Sequence, residues 1–412
     1  MKLHSVQSKN KLLVVYKLAI LTFFLTLFIM PKSITHMPEI ETKLLLTTIG
    51  IDSTEDGYIL SATAVMPKES HDGATMRLSV NGDGASISEA LDVLSAKMGK
   101  QLELGLCGLV IVGNTFLGKD IMPHLEYLLS SGKVIPGAHL CYAPNKSAKE
   151  TIELSNMLSE ATSNGLSKLI EHNQATTNMP AVTLHKFLSQ THGVSKCSYM
   201  PCLSLSEKKD ELPKTNSSGG EQNPNPSSGS GSGKESQIDD MEKIMIFKDG
   251  YTQVELDTAE TRGYTWMDND STKGLITVND FTVKGNNVGN IYCQILDKKY
   301  TLRTEIEKDE IKAKIKVKAM LGFEDRHKLS NLFKSKEVSE KELNFELFSQ
   351  VAKKIEEQIK SVVDVMQRSN LDAIGLEDNV YRYSHKAYKR HDKKGEIIKH
   401  AKIEYDIDVS FK

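Results

Sequence analysis

From Lys214 to Gln237 the chain carries no hydrophobic residue, and the stretch includes "TNSSGGEQNPNPSSGSGSGKES". A segment of this kind buries too little apolar surface to offset its ordering entropy, so it predicts a flexible Gly/Ser/Pro linker over 206–240. Its Gly-Ser alternation is not a phosphate loop, because no strand precedes it and no Gly-Lys-Ser/Thr and helix follow. The linker divides the 412 residues into an amino-terminal unit, 37–205, and a carboxy-terminal part. The latter reads as a small middle segment, 241–285, and a domain over 286–412. With 39% apolar and 26% charged residues, the chain has globular composition. A net charge of −2 gives no bulk field toward nucleic acid.

The amino terminus bears on location. Lys2, Lys9 and Lys11 precede "LLVVYKLAILTFFLTLFIM", Leu12 to Met30. The continuous apolar part from Leu18 has signal-peptide length, yet no A-x-A-like cleavage site follows Met30. Counted from Leu12, the run just spans a bilayer with Lys17 snorkelling, which predicts a signal peptide or transmembrane anchor within 1–36. The positive flank then leaves the bulk of the chain outside the membrane.

The rest reads as α+β in several modules. "TKLLLTTIGID" and "GYILSATAVM" form a strand pair around "STEDG". "VNGDGAS" reads as a loop, and Ser86 with Glu89 as a capping box for a helix ending at Gly99. "LELGLCGLVIVG" is an apolar strand, with Cys107 inside it as a small buried hydrophobe. Helical patterns cover 117–130 and 147–171. In "DEIKAKIKVKAM" and "KIEYDIDVSF", apolar residues alternate with lysines and with acids, respectively. These predict neighbouring strands with lysines paired to carboxylates, in an antiparallel sheet. A long helix between them, with Phe348, Val351, Ile355, Ile359, Val362 and Met366 on one stripe, covers that sheet.

Chemistry is sparse. There is no G-x-S-x-G elbow, no H-E-x-x-H and no zinc-type C-x-x-C. His185, His192, Cys197 and Cys202 match no standard metal spacing. Of the five cysteines, Cys197 and Cys202 are near enough for a local bridge, and the odd number leaves at least one thiol free. No catalytic, metal or cofactor-binding residue is identified. The basic stretch from Arg382 to Lys402 reads first as a solvated face. Its sharper reading is contact of Lys386, Lys389, Arg390, Lys393 and Lys394 with anionic lipid headgroups.

The ordered series "TTIGID", "SISEALDVLSAKMGKQLELGLCGLVIVG", "FKDG…ETRGYTW" and "SNLDAIGL" resembles the Ger(x)C family, the C subunits of nutrient germinant receptors in spore-forming bacteria. The matching segments are Ile49–Asp52, Glu89–Gly105, Phe247–Trp266 and Ser369–Leu376. In such an assembly subunit, Glu260, Arg262, Gly263 and Trp266 read as a structural signature. Gly263 suits a tight turn or close approach, Tyr264 and Trp266 share one side of a strand, and Glu260 and Arg262 pair or cap the turn. The resemblance implies three mixed α and β domains and a non-enzymatic role in nutrient-triggered germination. It further implies a place on the outer face of the spore inner membrane, beside a membrane-embedded A subunit and a permease-like B subunit.

Two departures stand out. The family's lipobox cysteine is missing from "IMPKSITHMPEI", so a transmembrane anchor would replace the lipid. Asn370 and Leu371 also stand where the family turn has Ser-Asp. Other classes weighed against this reading are a membrane-anchored cell-wall hydrolase and a module that binds a soluble ligand. The first needs a cleft with a carboxylate pair of shifted pKa, and the second a buried apolar pocket.

Overall fold

The computed structural model describes residues 15–26, 43–67, 75–158, 166–175, 179–207, 236–283, 285–307, 310–323, 340–391 and 396–411. The chain forms two compact units, residues 1–44 and 45–412. In the first, residues 15–26 form helix α1, on which the Thr22 and Thr26 hydroxyls donate back to carbonyls of the preceding turn. The remainder of the apolar run and the region after Met30 lie outside the described residues. Among the described residues no helix is long and apolar enough to cross a membrane.

The second unit begins within strand β1 (Lys43–Ser53), which pairs antiparallel with β2 (Tyr58–Pro67), itself antiparallel to β3 (Thr75–Gly84). The strand β3 runs through most of "VNGDGAS", where the sequence suggested a loop. Helix α2 (Ile87–Met98) starts at Ser86, whose hydroxyl accepts the Glu89 N–H, and ends at Gly99 in the left-handed region. The Glu89 carboxylate takes the N–H of Ala85, one residue before the position a capping box would use. "LELGLCGLVIVG" divides into β4 (Gln101–Glu103) and β5 (Leu109–Gly113), with Cys107 buried in the turn between them.

Helix α3 (Met122–Ser130) starts later than its apolar pattern, with proline in its first turn. The strand β6 (His139–Ala143), helix α4 (Ala148–Asn156), helix α5 (Leu166–Ala175), the short strand β7 (Val182–Thr183) and helix α6 (Leu184–Thr191) follow. The sheet order is β3-β2-β1-β5-β6-β7, with β1, β5 and β6 parallel.

The sequence boundaries do not coincide with the sheets. Strands β8 (Cys197–Pro201) and β9 (Ser204–Glu207) precede the linker, and β10 (Ser236–Asp240), β11 (Ile244–Lys248) and β12 (Tyr251–Leu256) follow it. Strand β11 pairs with both β8 and β12, and β9 pairs with β10, so 206–207 and 236–240 are sheet rather than linker. After helix α7 (Thr258–Thr265), strand β13 (Gly274–Val283) enters the carboxy-terminal sheet with β14 (Asn286–Glu307), β15 (Glu310–Phe323) and β16 (Lys402–Phe411). The segment 241–285 is therefore shared between two sheets and is no separate module.

In that last sheet β15 and β16 are neighbours, as their charges predict, with Lys316 2.8 Å and Lys314 3.2 Å from Asp406. They run parallel, so the sheet is mixed rather than antiparallel. A parallel pair needs a crossover long enough to hold a helix, and helix α8 (Glu340–Ser369) supplies it. Val351, Ile355, Ile359, Val362 and Met366 of its stripe are buried, the helix lies against β13 and β16 of the sheet, and Phe348 stacks on Phe411. Helices α9 (Leu376–Tyr383), α10 (His385–His391) and α11 (Ile397–His400) complete the chain.

Candidate functional site

The signature segment "ETRGYTW" lies on α7 and at its carboxyl end, not on a strand. Asp257 caps the helix: its carboxylate accepts the Glu260 N–H at 2.8 Å, and Glu260 accepts the Asp257 N–H at 3.0 Å. That reciprocal pair satisfies two N–H groups left over at a helix start. At about 100° per residue, Tyr264 and Trp266 point to different sides, which corrects the shared-side expectation. The Tyr264 hydroxyl donates to the Ala373 carbonyl at 3.0 Å, and its ring meets Tyr199 edge-on. The Trp266 indole N–H donates to Gln358 Oε1 on α8 at 2.9 Å.

Gly263 supplies the close approach. A Cβ there would stand 2.1 Å from the Gln358 carbonyl oxygen, so α7 and α8 touch backbone to backbone. Glu260 and Arg262 do not pair with each other. Arg262 instead reaches Glu242 at 3.1 Å, both side chains about half exposed.

The carboxyl end of α7 holds residues that the sequence reading missed. Lys298 is buried, and its ammonium donates to the carbonyls of Thr265 and Asp268. A cation there meets the negative end of the helix dipole. Burial pushes its pKa down to about 8, against the pull of Asp268 and Asp270. Simple alternation with Ile291, Cys293 and Ile295 would turn Lys298 outward. An irregularity between Ile295 and Asp297 adds one residue, reverses the parity, and aims Lys298 and Tyr300 inward.

Asp268 and Asp270 are held by Lys186 of α6 at 3.2 and 2.6 Å, and the same ammonium lies 3.1 Å from the Tyr199 hydroxyl. Burial alone would lower the Lys186 pKa, but Asp268 and Asp270 more than offset it and raise it. This cluster ties the amino-terminal α6 to the signature helix.

Two buried carboxylates explain other family-like segments. Asp52, the acid of "IGID", accepts the N–H groups of Ala148 and Lys149, each at 2.8 Å, at the start of α4. Gly113 makes room for it, since a Cβ there would fall 2.0 Å from Asp52 Oδ1. In the turn after α8 the working acid is Asp372, not residue 371. Its carboxylate accepts N–H groups from Leu376 at 3.0 Å and Glu377 at 2.6 Å, opening α9. Burial, the largest influence, lifts its pKa to about 6 even against those bonds.

Beside this network opens a cleft of ≈ 410 Å³ whose lining includes Lys186, Gln190, Asp268, Asp372, Asp378 and Arg382. Its acids are engaged within the chain, Asp378 by the Val194 N–H at 3.0 Å.

All five cysteines are buried free thiols, so Cys197 and Cys202 form no bridge. Burial raises their pKa values, to about 12 for Cys107, Cys197 and Cys293, which keeps them protonated at neutral pH. Among the described residues no group of three His, Cys, Asp or Glu side chains is placed to hold a metal ion. Lys386, Lys389 and Arg390 are exposed on α10, while Lys393 and Lys394 lie outside the described residues. Tyr381, His385 and Tyr388 pack ring against ring on the same element pair.

Two family models account for most of the chain. "Spore germination protein N-terminal domain" matches residues 36–205, and "Spore germination B3/ GerAC like, C-terminal" matches 242–412. The protein belongs to the Ger(x)C family, whose members function within spore germinant-receptor complexes. Its fold is similar to the crystal structure of the GerBC protein, with a TM-score of 0.51 and 16% identity over 88% of this chain and 96% of that one. No curated protein sequence matches the chain.

Proposed function

We propose that this chain is a non-enzymatic, membrane-anchored subunit of a nutrient germinant receptor. It stands on the outer face of the spore inner membrane and assembles with a membrane-embedded A subunit and a permease-like B subunit. The observation that carries this reading is the use made of the signature residues. Gly263, Tyr264 and Trp266 are all spent on contacts within the chain, as are the Lys186, Asp268 and Lys298 side chains around them. Side chains committed in this way suit a subunit that holds partners in register rather than one that turns over a substrate. The apolar run from Leu12 to Met30 takes the place of the family's lipid anchor.

The test is detergent extraction of the tagged chain from spore membranes, with mass spectrometry of its amino terminus and of what co-purifies. Recovery with a permease-like subunit and an intact segment through Met30 supports the reading. A processed amino terminus with no membrane partner overturns it.

A further inference from the structure

The helix α8 covers one face of the carboxy-terminal sheet, and the opposite face carries a marked excess of cations. There a groove of ≈ 410 Å³ is lined by Lys299, Arg303, Lys314, Lys316 and Lys318, with Thr301 and a single carboxylate, Asp406. The β14–β15 register puts Lys299 opposite Lys318 and Arg303 opposite Lys314. Like charges directly opposed across strands repel, so the fold gains nothing from these two pairs. Asp406 is shared by Lys314 and Lys316, and Lys318 reaches Asp408 only at 3.9 Å. Among the described residues, Lys299 and Arg303 have no carboxylate partner.

We propose that this groove docks an acidic segment of a partner protein in extended conformation. Charge complementarity selects an anion, and the shape selects its form. Alternate residues on a strand repeat at about 6.8 Å, so acids at every second position of an extended segment would meet Lys314, Lys316 and Lys318 in turn. The lining side chains come from β14, β15 and β16 and border a hollow, whereas a bilayer presents a flat surface. The proposal rests on the reading of the chain as an assembly subunit, but it does not depend on which subunit supplies the acids.

The experiment uses the full chain in detergent and a fluorescein-labelled peptide alternating glutamate and threonine, read by anisotropy at low salt. Binding is expected, and it should weaken at least about tenfold in the double variant Lys299→Glu, Arg303→Glu. The variant Lys386→Glu, Lys389→Glu should bind as the parent does. The groove variant relieves two repulsive pairs, so its melting temperature should hold or rise. Absence of binding, or binding untouched by the groove reversal, would overturn the proposal. So would phosphatidylglycerol vesicles that bind through these residues in the peptide's place. Lost peptide binding with co-purification intact sinks the groove alone; lost co-purification with peptide binding retained sinks the assembly reading alone.

Discussion

Gly263 and Arg262 are neighbours in sequence with opposite structural weight. An alanine methyl at 263 would drive into the Gln358 carbonyl and force α7 away from α8, so Gly263→Ala should cost about 1–3 kcal/mol or more. Arg262→Ala removes one half-exposed ion pair to Glu242, worth about 0–1 kcal/mol in water. Urea midpoints of the two variants should separate clearly, and equal midpoints would refute the backbone contact. Asp372 gives a pH signature. Its folded pKa of about 6 exceeds the ordinary 3.8, so the folded chain binds a proton there that the unfolded chain does not. The associated stability is complete below 3.8 and lost as pH rises through 6. Relative to Asp372→Asn, the parent should lose at most about 3 kcal/mol between pH 4 and 7, read from denaturation at each pH. A difference that stays flat over that range would show that Asp372 titrates normally.

At the scale of elements, α7 depends on its cap. Asp257→Ala should destabilise by about 1 kcal/mol and loosen α7 first, seen as faster amide exchange over 258–265. Unchanged exchange there would mean that α8 packing alone holds the helix. The Asp257-x-x-Glu260 spacing is a capping-box signal for this helix in the sequence, whereas the aromatic pair Tyr264 and Trp266, two apart, imitates a strand. The pairing of β15 with β16 was legible from lysines facing acids, whereas their direction was not. Charge alternation looks the same read forward or backward, and the better guide was the 30-residue α8 lying between the strands, since a parallel pair needs a crossover of that length. Lys298 was beyond reach, because a one-residue irregularity in β14 reverses which side chains face inward and leaves no trace in composition. Asp52 and Asp372 stood within recognisable segments, yet each serves N–H groups that only the folded chain brings near it.

Across the whole of residues 45–412, the strand pairing of β8 with β11 joins sequence on either side of the linker, as Lys186 joins α6 to the signature helix. A specific protease site placed within 214–234 should therefore cut the chain without parting it, and both fragments should elute together in gel filtration. Fragments that separate and stay folded would show two independent domains. The described residues that flank it are fixed side by side, because Glu207 pairs with Ser236. Closing a longer loop between anchored ends is cheap, with each doubling of length adding only about 0.6 kcal/mol. A fluorescent protein or an affinity epitope inserted there should leave the melting temperature within a few degrees of the parent. The seam between the two sequence halves is thus a ready-made port through which the receptor could be labelled at work, with neither terminus disturbed.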